Sequence, residues 1–212
     1  MTTSPSQVSP EGAAPPETAA PAAGRAPPSP PASAAPLGGR FDETRAFTPV
    51  RIAVITVSDT RDAESDTSGA LLAERIQEAG HVLAGRTLAR DDVEAIRAAC
   101  RAVIDHGAAD VVITTGGTGL TGRDVTPEAL EPLVDKRIDG FSVVFHQTSL
   151  RSVGLSTLQS RATAGIVRGV FVFCLPGSNG AVKDGWSVIA PQLDSRMRPC
   201  NLVELMPRLL ET

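Results

Sequence analysis

The feature that most constrains the fold is a set of four short, apolar runs separated by segments with helical periodicity. The runs are residues 51–57, 81–89, 110–115 and 170–175. Strands that are apolar throughout are typical of parallel sheets that helices cover on both faces. Because crossovers between parallel strands are right-handed, the pattern predicts a three-layer α/β/α fold around a mostly parallel sheet.

Capping residues mark where the helices between these runs begin. Asp66 or Thr67 is positioned to cap the first helix. Asp91 precedes the second, with Glu94 three residues later in capping-box spacing. Thr126, which a proline follows, has the pattern of an N-cap with proline at the first helical position.

The composition changes near residue 40. Residues 1–40 contain ten of the 17 prolines and ten alanines, with almost no large apolar side chains. Such a segment buries too little surface to offset the entropy lost on ordering. We therefore predict a disordered Pro/Ala-rich tail over residues 1–45 and one folded domain over residues 46–212. The tail lacks the basic start and apolar core of a secretory signal.

Charge and composition exclude several classes of protein. The net charge is −4 and aromatic residues make up 3%, with no tyrosine, which disfavours nucleic-acid binding and binding to anionic membranes. No apolar run approaches the roughly 20 residues of a membrane-spanning helix. The cysteines, Cys100, Cys174 and Cys200, are isolated and odd in number, which disfavours a disulfide framework or a zinc site and indicates a cytoplasmic location.

Chemistry is expected at one edge of the sheet. In open α/β sheets, ligands bind beyond the carboxyl ends of the strands. The loops that leave these ends begin at Ser58, Asp91, Gly116 and Pro176. The sequence therefore predicts a ligand site built from these four loops.

The loop after the third strand is rich in glycine. Gly116, Gly117 and Gly119 fall within four residues, and Thr115 and Thr118 add hydroxyl groups. Glycine lets the backbone approach an anion and direct successive N–H groups at it. The pattern indicates a phosphate cradle, although it is neither a Walker A loop nor a dinucleotide-binding turn. The alternative is a tight turn between strand and helix that binds no ligand.

Acidic residues are dense at the same edge: Asp59, Asp91, Asp92 and Asp124. Carboxylates beside a phosphate repel it unless a cation lies between them, and Mg²⁺ binds one or two carboxylates together with phosphate oxygens. Local roles are the alternative, because Asp91 can serve as an N-cap and Asp124 can anchor a turn. Two or more carboxylates beside a phosphate cradle favour Mg-nucleotide chemistry.

The loop after the fourth strand opens a helix. Four residues there are candidates for lining an anion site: Pro176, Gly177, Ser178 and Asn179. A helix N-terminus and a serine hydroxyl favour anions, while an ordinary capped helix is the alternative. Ser178 is not in a G-x-S-x-G pattern and is not expected to act as a nucleophile. Arg123 and Arg161 are either phosphate-neutralising groups or solvated surface residues.

The string TTGGTGLTGRDVTPEA at residues 114–129 resembles the signature of the MoaB/MogA family of molybdenum cofactor biosynthesis. Further similar strings are ITVSDT at 55–60, DTSG at 66–69, SRATAG at 160–165 and LPGS at 175–178. The resemblance covers residues 50 to about 205. STLQSR at 156–161 and RPCN at 198–201 are more similar to the MoaB branch than to the MogA branch.

This resemblance implies that the protein binds molybdopterin, a pterin with a dithiolene and a terminal phosphate, and transfers AMP from Mg-ATP to that phosphate. It implies that Asp91 and Asp124 are the catalytic and Mg²⁺-binding residues; some members of the MoaB branch depart at the first position and lack the activity. Ser58 and Asp59 are expected to line the pocket with the glycine-rich loop and residues 176–179. A homotrimer or homohexamer is also implied, as are contacts to other proteins of the pathway.

Other functions remain open at this stage. A molybdopterin-binding scaffold without catalysis would carry the same cradle. A flavodoxin-like nucleotide-binding enzyme is a second alternative, which the absence of tyrosine and the position of Trp186 in a helical stripe disfavour. A proline-rich tail can also serve as a ligand for a partner. Apolar stripes on the predicted helices over 138–150 and 181–193 suit either the core or an interface.

Overall fold

The computed structural model describes residues 39–211. The strands are β1 (Arg40–Phe41), β2 (Arg51–Val57), β3 (Val82–Ala89), β4 (Val111–Thr115), β5 (Lys136–Arg137), β6 (Thr163–Val167), β7 (Val170–Leu175) and β8 (Met197–Arg198). The α-helices are α1 (Thr67–Glu78), α2 (Val93–Asp105), α3 (Thr126–Leu130), α4 (Asp139–Val153) and α5 (Asn179–Leu193). Short 3₁₀ helices cover Glu131–Leu133, Gly154–Gln159 and Val203–Arg208.

The main sheet has the strand order β3-β2-β4-β7-β6-β5, and the first four of these strands are parallel. They are the four strands that the sequence predicts, so the predicted mostly parallel sheet is confirmed. β6 runs antiparallel to both neighbours and, with β5, was not predicted. β3 lies at the edge of the sheet and is largely exposed, which corrects the expectation that all four strands are buried on both faces.

Helices cover both faces of the sheet and create two apolar layers. On one face α1, α4 and α5 pack residues such as Leu72, Phe145 and Trp186 against the strands. On the other face α2 and α3 contribute Ile96 and Leu130. Side chains of β2 alternate between the two layers, as the period of a strand requires. This confirms the predicted three-layer architecture. None of the helices in the described part of the chain has the length and hydropathy needed to span a bilayer.

The tail prediction for residues 1–38 lies outside the described residues. Residues 40–45, which the composition assigned to the tail, contact the domain. β1 pairs with β8 in an antiparallel ribbon. The guanidinium of Arg196 lies 4.6 Å from the ring centre of Phe41 and 4.8 Å from that of Phe47. These cation–π contacts hold the N-terminal segment on the C-terminal one.

Two predicted helix caps differ from the structure. The N-cap of α2 is Asp92, whose side chain accepts a hydrogen bond of 2.9 Å from the Ala95 amide. The predicted capping box of Asp91 and Glu94 is therefore wrong by one residue, because the chain turns away from the sheet one residue later. This leaves the Asp91 carboxylate outside any capping role.

The third helix also begins differently. Thr126 is the first residue of α3 rather than its N-cap, and Val125 occupies the cap position without a side-chain hydrogen bond. The Thr126 hydroxyl instead donates to the carbonyl oxygen of Gly116 at 2.9 Å. The hydroxyl therefore fastens the glycine-rich loop to the start of the helix.

Of the two predicted candidates, Asp66 rather than Thr67 caps α1, and it also ties α1 to the sheet. Its side chain is 3% exposed and accepts hydrogen bonds from the Gly69 amide at 2.9 Å, Thr56 at 2.8 Å and Arg86 at 2.9 Å. Burial raises the pKa of Asp66, but the bonds from Gly69, Arg86 and Thr56 together hold this pKa below its usual value.

Replacing Asp66 by asparagine is expected to lower the free energy of unfolding by about 2 kcal/mol at pH 7, the size expected for hydrogen bonds to a charged group. A carboxylate whose pKa is lowered by folding stabilises the protein above its unfolded pKa of about 3.9 and loses this effect as the pH falls further. In urea unfolding, the difference in the free energy of unfolding between wild type and Asp66→Asn should therefore become smaller from pH 7 to pH 3. Asp105→Asn, at an exposed ion pair, is the control. Equal stability of Asp66→Asn and wild type at pH 7 would contradict this role.

Candidate active site

The loops that follow β3, β2, β4 and β7 leave the sheet side by side. Val57 pairs with Ala89, and Thr115 pairs with both Thr56 and Leu175, so the carboxyl ends of the four strands are in register. The predicted convergence of the loops that begin at Ser58, Asp91, Gly116 and Pro176 is therefore present in the structure.

The glycine-rich loop runs directly against the end of β2. Gly116 has φ +111° and Gly117 has φ +63°. A Cβ atom on Gly116 would lie 2.2 Å from the carbonyl oxygen of Val57, and one on Gly117 would lie 2.3 Å from the Thr126 hydroxyl oxygen. Only glycine combines these backbone angles with so close an approach. The loop is therefore a fixed backbone surface, as an anion cradle requires.

Asp91 faces this loop. A Cβ atom on Gly117 would lie 2.6 Å from Asp91 Oδ1, and this oxygen is buried without a hydrogen-bond partner. Burial raises the pKa of Asp91, and the charges of Asp124 and Asp59 raise it further. A buried, unpaired carboxylate oxygen is costly. A bound cation would offset that cost, so the position suits a metal ligand.

Asp124 lies at the other end of the loop. Its Oδ2 accepts hydrogen bonds from the Thr121 hydroxyl at 2.6 Å and the Thr121 amide at 2.9 Å. The bond from the Thr121 hydroxyl is the largest influence and holds the pKa of Asp124 below its usual value. A Cβ atom on Gly119 would lie 2.7 Å from Oδ2. Asp124 thus anchors its own turn and also acts electrostatically on Asp91.

Asp59 and Ser58 support the site from the loop after β2. Asp59 Oδ1 accepts a hydrogen bond of 3.1 Å from the Asp91 amide, and Oδ2 pairs with Arg123. Ser58 Oγ accepts from the amides of Thr60 and Arg61, both at 3.2 Å. Asp59 therefore positions Asp91, and the Ser58 hydroxyl closes its own turn.

The threonines beside the glycines differ in their surroundings. Thr115 Oγ1 donates to the carbonyl oxygen of Pro176 at 3.1 Å, which joins the ends of β4 and β7. Thr118 is 2% exposed, and its hydroxyl oxygen has no hydrogen-bond partner. Gly177 packs on the glycine-rich loop, because a Cβ atom there would lie 3.2 Å from Gly116 Cα.

The start of α5 is an ordinary capped helix that also contacts α1. Ser178 is the N-cap and accepts from the Ala181 amide at 3.2 Å. Asn179 Oδ1 accepts from the Thr67 hydroxyl at 3.2 Å. These contacts bring the N-termini of α5 and α1 together at the edge of the sheet that holds the glycine-rich loop.

Arg61 is a site residue that the sequence reasoning missed. It donates to Ser68 Oγ at 2.6 Å and to the carbonyl oxygen of Gly177 at 3.1 Å, and it lies 4.0 Å from Asp66 Oδ1. It places a cation between the loops that follow β2 and β7. Arg61 directly follows the ITVSDT string at 55–60, and its local sequence offers no separate signal.

The site fits a magnesium ion that is shared with a phosphate. Within residues 39–211 no three His, Cys, Asp or Glu side chains are grouped to hold a metal by themselves. Mg²⁺ needs only one or two carboxylates when phosphate oxygens and water complete its shell. The unpaired Oδ1 of Asp91, with Asp124 nearby, meets that requirement.

A three-layer α/β fold with a glycine-rich loop and two carboxylates at one sheet edge is typical of domains that bind phosphate-bearing ligands. Residues 53–195 match the family described as "probable molybdopterin binding domain". The chain therefore belongs to this family, which includes the MoaB and MogA proteins of molybdenum cofactor biosynthesis.

Several known proteins are similar over most of their length. Molybdenum cofactor biosynthesis protein B of Escherichia coli K12 is 48% identical over 156 residues, which cover 73% of this chain and 92% of that protein. A molybdopterin adenylyltransferase of Pyrococcus furiosus is 42% identical over 163 residues, 74% of this chain and 95% of that protein. A crystal structure of a molybdenum cofactor biosynthesis protein B superimposes with a TM-score of 0.71 at 39% identity and covers 79% of this chain and all of that one.

Proposed function

We propose that this protein is a molybdopterin adenylyltransferase that transfers AMP from Mg-ATP to the terminal phosphate of molybdopterin and releases pyrophosphate. The observation that carries the proposal is the buried, unpaired Oδ1 of Asp91 against Gly117, at the mouth of a loop suited to phosphate. The similarity to the Pyrococcus furiosus adenylyltransferase supports it.

In this reaction an oxygen of the molybdopterin phosphate attacks the α-phosphorus of ATP. The bond from that phosphorus to the oxygen bridging to the β-phosphate breaks, and pyrophosphate leaves with the bonding electrons. The attacking phosphate is already anionic at pH 7, so no general base is needed. What opposes the reaction is repulsion between two phosphates, so catalysis rests on positioning and electrostatics.

The chain offers several groups that reduce this repulsion. The Gly116 amide donates to the Leu175 carbonyl oxygen at 2.9 Å, so the N–H groups of Gly117 and Thr118 would bind one phosphate. The N-termini of α1, α2 and α5 add positive partial charge at the same edge. Arg61 adds a full positive charge. Asp91 and Asp124 would hold Mg²⁺, which when bound neutralises phosphate charge. Asp59, through the Asp91 amide, keeps Asp91 turned toward the loop.

Molybdopterin-dependent release of pyrophosphate from Mg-ATP tests this function. We expect the purified protein to release one pyrophosphate for each molybdopterin consumed, and none from ATP alone. Binding of molybdopterin without pyrophosphate release would instead support the scaffold alternative. Flavin absorbance in the purified protein would support the flavodoxin-like alternative.

We further propose that the protein forms a homotrimer or a hexamer of two trimers in the cytoplasm. Exposed apolar side chains lie on α4 and the 3₁₀ helix that follows it: Val143, Leu150, Val153, Leu155 and Leu158. Patches of this kind mark interfaces between proteins. The opposite side of α4 buries Phe141 and Phe145 in the core. All three cysteines of the chain are free thiols, which supports a reducing compartment.

Charge in this apolar patch is expected to dissociate the oligomer. The double change Leu155→Asp and Leu158→Asp places two carboxylates where side chains are 76% and 70% exposed in the single chain. Burying them at an interface would cost several kcal/mol. Sedimentation velocity should therefore show smaller species than wild type at equal concentration, with an unchanged circular dichroism spectrum. Leu210→Asp, at an exposed leucine near the C-terminus, is the control. A wild-type protein that sediments as a monomer would contradict the proposal.

A further inference from the structure

Arg161 binds the glycine-rich loop at three carbonyl groups. Its backbone amide donates to the Thr118 oxygen at 2.9 Å, Nε donates to the Gly119 oxygen at 2.8 Å, and Nη2 donates to the Asp124 oxygen at 2.6 Å. Nη1 pairs with Glu128. One residue thus holds both ends of the segment that carries Asp124.

The peptide planes connect these contacts to the two aspartates. In a trans peptide the carbonyl oxygen and the following N–H point in opposite directions. The Thr118 and Asp124 carbonyls point at Arg161, so the amides of Gly119 and Val125 point away from it. The Gly119 amide lowers the pKa of the Asp124 carboxyl group, and the Val125 amide lowers the pKa of the Asp91 carboxyl group, so each amide acts on one carboxylate. The backbone amide of Arg161 therefore fixes the Thr118–Gly119 peptide, and its guanidinium fixes the Asp124–Val125 peptide beside Asp91.

The guanidinium of Arg161 is already engaged by protein groups. Its donors are directed at two carbonyl oxygens and a carboxylate, so it does not serve as the phosphate-neutralising group that the sequence suggested. The planar guanidinium group holds the carbonyl oxygens of Gly119 and Asp124 at the same time. A lysine ammonium is a point charge on a flexible stem and cannot reproduce these two hydrogen bonds. The preceding residue is also held, since the Ser160 carbonyl oxygen lies 3.1 Å from His146 Nε2 on α4.

We propose that Arg161 is a positioning residue that holds the glycine-rich loop so that Asp91 and Asp124 both face the phosphate site. Its effect on catalysis rests on the adenylyltransferase function proposed above. Its effect on the loop does not, because the hydrogen bonds act in the free protein.

Arg97 offers a matched control for a general loss of carbonyl contacts. It donates to the carbonyl oxygens of Ala129 at 2.9 Å and Glu128 at 3.3 Å, and it pairs with Glu94. These contacts resemble those of Arg161 in number and chemistry. They join α2 to α3 and leave the glycine-rich loop untouched.

The test compares Arg161→Lys and Arg161→Ala with Arg97→Lys in the full chain. We expect both Arg161 variants to lower kcat for AMP transfer about 100-fold, the scale of an ångström-sized misplacement of reacting groups, with less change in the KM of ATP. Added guanidinium ion should restore part of the activity of Arg161→Ala. Arg97→Lys should keep kcat within twofold of wild type.

Amide hydrogen exchange of residues 116–125, measured without substrates, is the second readout. Exchange at Val125, whose peptide the Arg161 guanidinium holds, should be faster in Arg161→Lys and unchanged in Arg97→Lys. Unchanged exchange, unchanged kcat, or equal kcat losses in the Arg161 and Arg97 variants would each overturn the proposal. If wild type transfers no AMP, the proposed function fails by itself, and the exchange result alone then decides the role of Arg161.

Discussion

Asp91→Asn is expected to lower the rate of AMP transfer about a thousandfold. The change keeps the size of the side chain but removes the negative charge of an oxygen that has no hydrogen-bond partner in the protein. Charge stabilisation by a bound metal is worth several kcal/mol, and each 1.4 kcal/mol is about a tenfold change in rate. The measurement is the single-turnover rate with saturating Mg-ATP and molybdopterin.

The adjacent residue provides a control for this substitution. Asp92 is the same residue type one position further on, but it is exposed and caps α2 through the Ala95 amide. Asparagine is an equally good N-cap. Asp92→Asn removes the same charge one residue away and should leave the rate within twofold of wild type. If both variants lost activity equally, a diffuse charge effect would replace a specific role for Asp91.

Gly116→Ala is expected to destabilise the domain by about 3 kcal/mol or more and to abolish activity. A left-handed backbone angle of this kind is strained for alanine by about 1–3 kcal/mol. The added methyl group would also lie 2.2 Å from the Val57 carbonyl oxygen, which belongs to the central sheet and has no room to move. Urea unfolding and the rate of AMP transfer measure the two effects.

Gly122→Ala is the matched control in the same loop. A Cβ atom there would have no other atom within 4 Å, and Gly122 is not among the glycines with positive φ. We expect wild-type stability and activity. A stable, active Gly116→Ala protein would show that the loop can shift, which contradicts a fixed cradle.

The parallel core of the fold could be predicted because its strands are read from local composition. Runs such as residues 51–57 and 170–175 are apolar and β-branched over their whole length. β6 could not be recognised in the same way, since Gly165 interrupts a run of only five residues. The signal in the sequence is Gly169. With Arg168 it forms a two-residue hairpin turn in which both φ angles are positive, a conformation that glycine favours.

The site was predictable in its location but not in its detail. Four loops at one sheet edge follow from strand direction alone. Which of two neighbouring aspartates caps α2 depends on where the chain leaves the sheet, and local sequence does not specify this. The contact between Arg161 and Gly119 joins positions 42 residues apart. No spacing rule reveals such a contact, so Arg161 could only be interpreted once the fold brought the two segments together.

The most direct test of the central claim follows the phosphorus atom that moves. ATP labelled at the α-phosphate should transfer its label to molybdopterin at one label per molybdopterin in wild type, and about a thousandfold more slowly in Asp91→Asn. ATP labelled at the γ-phosphate should transfer none. Label arriving from the γ-position, or none from either position with intact wild-type protein, would contradict the account of two phosphates joined beside Asp91 and the glycine-rich loop.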